Sequence, residues 1–297
     1  MTAKGRSSTL DVFPRAKVSG RKLAVLTAYD LTSARIAAAG GVDAILVGDS
    51  VGMVVLGYET TLPVTMSEMI HHCKAVMRSG PGVPVIADMP YGSFHVSPGE
   101  TVRQALDLVK QTGVNAVKIE GGRNRSEAIS ALLAAEIPVM GHLGLTPQSI
   151  NRFGGYKIQG RGAEAAARLE DEALHLADLG CFAVVLECVP AELARRISAR
   201  IGIPTIGIGA GAGCDGQVLV FHDLLGLFEG LKPRFVKRYA ELGRIAAEAV
   251  GRYVEEVRSG DFPGSEHEFG DAREKAPGED GSASGQVYPG GQDGGGD

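Results

Sequence analysis

Five polar residues stand where short apolar runs end. Asp49 follows the run at 44–47, Asp88 closes 83–88, Glu120 closes AVKIE at 116–120, His142 closes 139–142, and Glu187 closes AVVLE at 183–187. A sixth, Lys118, lies inside the third of these five runs. If the runs are neighbouring parallel strands, their ends are about 4.8 Å apart, so Asp49, Asp88 and Glu120 would crowd three carboxylates together. Such a cluster is costly without a positive charge in it. An all-oxygen set with room for water suits Mg²⁺, which keeps several waters and prefers carboxylate ligands. The plainer alternative is that loops after strands simply favour Asp and Glu.

Lys118 is two residues from Glu120, so both side chains share one strand face. Three roles remain open for it: a Schiff-base nucleophile, a cation that holds a substrate carboxylate, or half of a structural ion pair. A metal nearby favours the second. Glu187 lies between Leu186 and Cys188-Val189-Pro190, an apolar setting that favours a general acid or base over an ordinary strand-end carboxylate. His142, in GHLG, is a second candidate proton carrier or donor, with a structural role as the alternative. His71 and His72 fall in an expected helix, and His95, His175, His222 and His267 have no partner at metal-ligand spacing. The glycines at 207–213 fit a loose G-x-G-x-x-A, but they follow the seventh apolar run and not the first. A sharp turn at a barrel mouth explains them as well as a nucleotide loop would.

The elements that position these residues follow from a repeated alternation. Candidate strands are Leu23–Thr27, Ala44–Val47, 83–87, Ala116–Glu120, 139–142, Ala183–Glu187, Thr205–Ile208 and, more weakly, 218–221. Between them, 66–79 follows a Thr65/Ser67 capping region, 97–112 carries a Pro in its first turn, and Ala163–Leu179 ends at Gly180. Eight strands alternating with helices over about 250 residues predict a single-domain (β/α)8 barrel, with an open doubly wound sheet as the alternative. On the fourth strand Lys118 and Glu120 would face the axis while Val117 and Ile119 pack against helices. Residues 1–20 would supply a short helix closing the barrel floor, and 21–269 the barrel with a final helix at 233–259. From 270 to 297 the chain is rich in Gly, Asp, Glu and Ser and predicts a disordered tail.

The chain has 297 residues, 44% hydrophobic and 22% charged, with a net charge of −5. That is a globular composition without the basic footprint of a nucleic-acid or acidic-membrane binder. No signal-peptide core or 20-residue apolar run is present, so a cytoplasmic protein is expected. The four cysteines show no C-x-x-C pair and are expected to be reduced.

Several segments closely resemble the ketopantoate hydroxymethyltransferase family: LTAYD at 26–30, LVGDSVGM at 46–53, TLPVTMSEM at 61–69, VKIEGG at 117–122, GHLGLTPQS at 141–149, FGGYKIQGRG at 153–162, VLECVP at 185–190 and IGIGAG at 206–211. The likeness runs in order over about residues 8–269. It implies a (β/α)8 barrel, Mg²⁺, and one-carbon transfer from 5,10-methylenetetrahydrofolate to 3-methyl-2-oxobutanoate through a metal-stabilised enolate. The product would be 2-dehydropantoate, for pantothenate and coenzyme A synthesis. By the same resemblance Asp49 and Asp88 ligate the metal, Glu120 joins the site through a bound water, and Asp49, Ser50, Asp88 and Lys118 contact the oxo acid. Glu187 would accept the proton. The resemblance also implies a homo-oligomer, a decamer of two pentamers. A Mg²⁺-dependent barrel lyase of the isocitrate-lyase kind is the competing class, distinguished by needing no folate. A non-catalytic barrel is the third reading, and it would be expected to lose the polar groups that are present here.

Overall fold

The computed structural model describes residues 9–228, 230 and 233–269. The first eight residues and the tail expected to be disordered, 270–297, lie outside the described residues. The chain divides into two compact units, Met1–Ile245 and Ala246–Asp297.

The first unit is a closed barrel of eight parallel strands in sequential order: β1 (Leu23–Thr27), β2 (Ala44–Val47), β3 (Val85–Asp88), β4 (Ala116–Glu120), β5 (Val139–Gly144), β6 (Ala183–Glu187), β7 (Thr205–Ile208) and β8 (Gly216–Leu219). In chain order, the helices are α1 (Val12–Ser19), α2 (Leu31–Gly40), α3 (Val51–Val54), α4 (Met66–Met77), α5 (Pro98–Thr112), α6 (Ser126–Ala134), α7 (Ile150–Phe153), α8 (Ala163–Leu179), α9 (Ala191–Arg200), α10 (Phe221–Leu225) and α11 (Leu242–Ser259). Local chemistry sets several of their starts. Thr65 and Glu68 form a reciprocal capping box ahead of α4, and the Ser97 side chain accepts from the Glu100 N–H at the start of α5.

Side-chain alternation divides the core into two. Ile45, Val47, Val85, Ala87, Val117, Ile119, Val139, Val184 and Leu186 face outward into the layer beneath the helices. Leu23, Val25, Ala44, Leu46, Ile86, Ala116, Met140, Ala183, Val185, Ile206 and Val218 fill the interior. Phe13 and Ala16 of α1 belong to that same interior cluster, and Phe13 is fully buried with its ring edge-on to Phe182. On β4 the inward side chains run Ala116, Lys118, Glu120, so the interior changes from apolar to charged toward the carboxyl ends of the strands.

Several boundaries differ from the sequence reading, three of them for reasons the backbone shows. β3 begins at Val85, two residues later, because Pro84 has no N–H to give the ladder. β8 begins at Gly216, since Phe221 opens α10 and donates its N–H to Thr27 Oγ1 at 2.9 Å. The last helix begins at Leu242 and not at Pro233. Tyr239, ahead of it, donates its N–H to Leu224 O (2.8 Å), and Gly243, in its first turn, to Gly226 O (3.0 Å). The second unit consists of the remainder of α11 and the segment after it, with Tyr253 edge-on to Phe262. No helix of the described residues is long and apolar enough to cross a membrane.

Candidate active site

The six residues picked out at strand ends meet at one mouth of the barrel, on the consecutive strands β2 to β6. Asp49, Asp88, Lys118, Glu120 and His142 are all buried, and the Glu187 side chain retains 15% exposure. The Lys118 ammonium lies 2.9 Å from Asp88 Oδ1 and donates to His142 Nδ1 at 3.2 Å. His142 Nδ1 is also 3.4 Å from Glu120 Oε1. Its other nitrogen is 3.2 Å from Glu187 Oε2, off the line of the ring N–H. Because Nδ1 accepts from an ammonium, the network assigns the ring proton to Nε2, on the Glu187 side.

Backbone constraints hold these groups in place. Asp49 N–H donates to Asp88 Oδ2 at 3.1 Å, tying the ends of β2 and β3. Gly48 permits the approach, since a Cβ there would lie 2.8 Å from Ser50 Oγ. Ser50 shares a 2.8 Å hydrogen bond with the buried Tyr29 hydroxyl. Glu187 is followed by Cys188 at φ +49, and a Cβ on Gly144 would come within 2.2 Å of the Glu187 carbonyl oxygen. The Glu187 side chain thus faces His142, while its apolar sequence neighbours Leu186 and Val189 turn into the outer core.

Two residues of the site were not visible in the sequence. Gln148, in a 3-10 turn after β5, donates from Nε2 to Asp49 Oδ2 (2.8 Å) and to Met89 O (3.0 Å). Its backbone N–H reaches Glu120 Oε2 at 3.0 Å. Both partners of Nε2 are acceptors, so the amide cannot be turned over. Tyr156, half-exposed, donates to Met53 Sδ at 3.7 Å; burial and then the charges of Glu187 and Asp49 push its phenol upward. The TPQS and GGYK segments belong to the motifs already noted, but only the turn geometry brings these two side chains to the mouth.

The electrostatics suit a cation. Burial, then Asp88 and Glu120, push the Asp49 carboxyl well above the carboxylate range. Glu120 is pushed up to about 7, chiefly by burial, against the opposing charge of Lys118. Burial alone would lower the Lys118 ammonium, but Asp88, Glu120 and Asp49 outweigh it and raise it. His142 is lowered by burial and by Lys118, so it is neutral at pH 7. Asp88 Oδ1 is buried with the Lys118 ammonium 2.9 Å away. Among the described residues no three His, Cys, Asp or Glu side chains form a ready-made metal cage. Two carboxylates with water and substrate oxygens completing the shell are nonetheless what Mg²⁺ accepts, so Asp49 and Asp88 fit it.

Fold and site together define a (β/α)8 barrel with an acidic, lysine-bearing pocket at the carboxyl ends of its strands, where barrels of this type carry their active sites. Solved structures share the fold: phosphonopyruvate hydrolase in complex with oxalate and Mg²⁺ (12% identity, TM-score 0.56, covering 86% of this chain and 92% of that one) and 2,3-dimethylmalate lyase, a PEP mutase/isocitrate lyase superfamily member (19%, TM-score 0.52, 89% and 87%). Sequence is more specific. Residues 7–265 match the profile of ketopantoate hydroxymethyltransferase, and the chain belongs to that family. It is 58% identical over 255 residues to 3-methyl-2-oxobutanoate hydroxymethyltransferase of Nitratidesulfovibrio vulgaris (86% of this chain, 83% of that protein). To the enzyme of the same name from Syntrophus aciditrophicus it is 51% identical over 267 residues (90% and 98%).

Proposed function

We propose that the protein transfers a one-carbon unit from 5,10-methylenetetrahydrofolate to 3-methyl-2-oxobutanoate, giving 2-dehydropantoate, with Mg²⁺ as the metal. The observation that carries this reading is the convergence of Asp49, Asp88, Lys118, His142 and Glu187 on one mouth, in a chain of this family. A carbon acid must be deprotonated beside groups that tolerate the resulting negative charge, and this pocket has both a base and a buried ammonium.

Asp49 and Asp88 would hold the cation, with Glu120 reaching it through water. The bound ion supplies Lewis-acid stabilisation of charge on the oxo-acid oxygens. Ser50 and Lys118 orient the carboxylate and keto group, and Lys118, already charged and desolvated, needs no reorganisation as the keto oxygen becomes negative. Glu187 removes the C3 proton. The C3–H electron pair moves toward the keto oxygen and then forms the bond to the one-carbon unit. Both methylene C–N bonds of the co-substrate break, water supplies the new hydroxyl, and tetrahydrofolate leaves with the C3 proton and one water proton on its two nitrogens. Neutral His142 stands between Lys118 and Glu187, keeping the ammonium and the base on opposite sides of its ring.

A homo-oligomer, decameric by the family likeness, and a cytoplasmic location belong to the same reading. The exposed Val250, Tyr253 and Val257 on α11 support the oligomer. The test is product formation from the two substrates with Mg²⁺ and with EDTA, together with solvent-deuterium exchange at C3 in Glu187→Gln. Product only in the metal-replete sample and lost exchange in the variant are expected. No product in the metal-replete sample overturns the function, and unchanged exchange removes Glu187 as the base.

A further inference from the structure

At the rim of the mouth, on the segments that follow β4 and β5, Arg125 and Arg152 have no carboxylate partner among the described residues. Arg125 closes the 3-10 turn Arg123–Arg125 that follows β4, and its stem lies against Gly121, where a Cβ would be 2.8 Å from Arg125 Cγ. Its guanidinium sits over the buried Phe94 ring, 5.2 Å from the centroid, and its Nε is buried without a hydrogen bond. Arg152, on α7, lies over Phe153 at 5.1 Å. Among the described residues neither forms an ion pair with a carboxylate. Arg125 is lowered by burial and then by the positive charge of Arg152. Glu172 of α8 feels Arg152 but is not within ion-pair distance of it. The neighbouring Arg123 is already held by Asp171, at 2.7 Å.

A half-buried guanidinium that feels the charge of a second guanidinium and has no carboxylate partner among the described residues is an unfavourable arrangement. A bidentate carboxylate relieves it. Beside Arg125 is a cluster of tilted aromatic rings. The half-exposed Tyr91 ring packs on His95 at 4.8 Å, and His95 packs on Phe94 at 4.3 Å. Burial, then Arg125, hold His95 down at about 4, so it is neutral and adds no positive charge at pH 7. The rim therefore combines an aromatic cluster with a guanidinium fork that no carboxylate neutralises among the described residues.

We propose that this rim is an anion subsite built on Arg125 and Arg152, and that it takes the glutamyl carboxylates of the folate co-substrate, with the aminobenzoyl ring against Tyr91. The assignment rests on the proposed reaction. It follows from the shape of the co-substrate: its tail leads away from the reacting methylene, so with that carbon in the mouth the tail carboxylates fall at the edge.

The test compares wild type, Arg125→Gln and Arg152→Gln with 5,10-methylenetetrahydrofolate and with the tail-less 5,10-methylenetetrahydropteroate. In Arg125→Gln the KM for the tailed co-substrate should rise about tenfold, the scale of one charge-assisted hydrogen bond. The KM for the tail-less form should change less than twofold. Arg152→Gln, at an exposed site, should show the same pattern to a smaller degree and covers the case in which Arg125→Gln does not fold. An equal rise for both co-substrates, or no rise for either, overturns the subsite. Titration with p-aminobenzoyl-glutamate reads it without turnover: wild type should bind about tenfold more tightly than Arg125→Gln, and equal binding, or none to wild type, overturns it. Failure of wild type to turn over either folate overturns the parent reading on its own.

Discussion

Lys118→Met removes an ammonium and keeps the stem that fills the barrel axis. In the native chain this group is 5% exposed and 2.9 Å from Asp88 Oδ1, and among the described residues no other Lys or Arg forms an ion pair with Asp49, Asp88, Glu120 or Glu187. Breaking a buried pair by removing one partner costs about 3–5 kcal/mol, because a buried charge is left uncompensated. The cost must depend on pH. Lys118 lowers both Asp49 and Glu120, so its loss raises both carboxyls further. A carboxyl raised by folding stabilises the fold fully below its unfolded value, 4.5 for Glu, and that contribution disappears as the pH climbs through the folded value, about 7 for Glu120 in the native protein. The variant should therefore lose the full 3–5 kcal/mol near pH 8 and about half of it near pH 5, where the cluster takes up a proton in place of the ammonium. Urea unfolding followed by far-UV circular dichroism, in EDTA at both pH values, measures this in a chain without Trp. Added Mg²⁺ should raise the midpoint of the variant more than that of wild type, since a bound cation substitutes for the missing charge. A loss below about 1 kcal/mol at pH 8, or one that is the same at pH 5, would refute the claim that the carboxylates depend on Lys118.

The architecture was legible because a parallel barrel writes its pattern plainly. Each strand is buried on both faces and reads as a short β-branched run, and each crossover needs a helix. The two-residue alternation that set Lys118 and Glu120 against Val117 and Ile119 is what the folded β4 shows. Boundaries were harder where backbone hydrogen bonding, not side-chain pattern, decides them. The residues from 233 to 241 have helical spacing, yet the Tyr239 N–H donates to Leu224 O of α10, a tertiary bond that no local periodicity encodes.

Residues at the strand ends, His142 among them, stand out in the sequence, whereas Gln148 and Tyr156 do not. A buried Asp or Lys at a strand end has few explanations, so residue type alone raises the suspicion. A Gln after a proline has many. Gln148 matters because a 3-10 turn carries it back over the strand ends, so that one side chain and one backbone N–H touch two carboxylates from different strands. The same holds at the rim: Arg125 reads as an ordinary surface residue until its stem is seen folded onto Gly121 and its charge set against Arg152.

Gln148→Leu should preserve volume while leaving Asp49 Oδ2 and Met89 O without a donor, at about 1–3 kcal/mol for each buried acceptor. Divalent-cation affinity should fall roughly 10- to 100-fold, as for other groups that orient metal ligands, and Mn²⁺ titration followed by electron paramagnetic resonance checks it; an unchanged Kd would make Gln148 purely structural. Phe13→Ala tests the opposite end of the barrel. The ring is fully buried among the inward side chains and contacts Phe182 edge-on, so its removal should cost about 3–5 kcal/mol in urea unfolding. At temperatures where the variant remains folded, the KM for the oxo acid should stay within twofold of wild type. The apolar floor around Ala116 and Met140 lies on the other side of Lys118 and His142 from the mouth, so a large KM change would mean that floor and pocket are mechanically coupled and that the layers do not act independently.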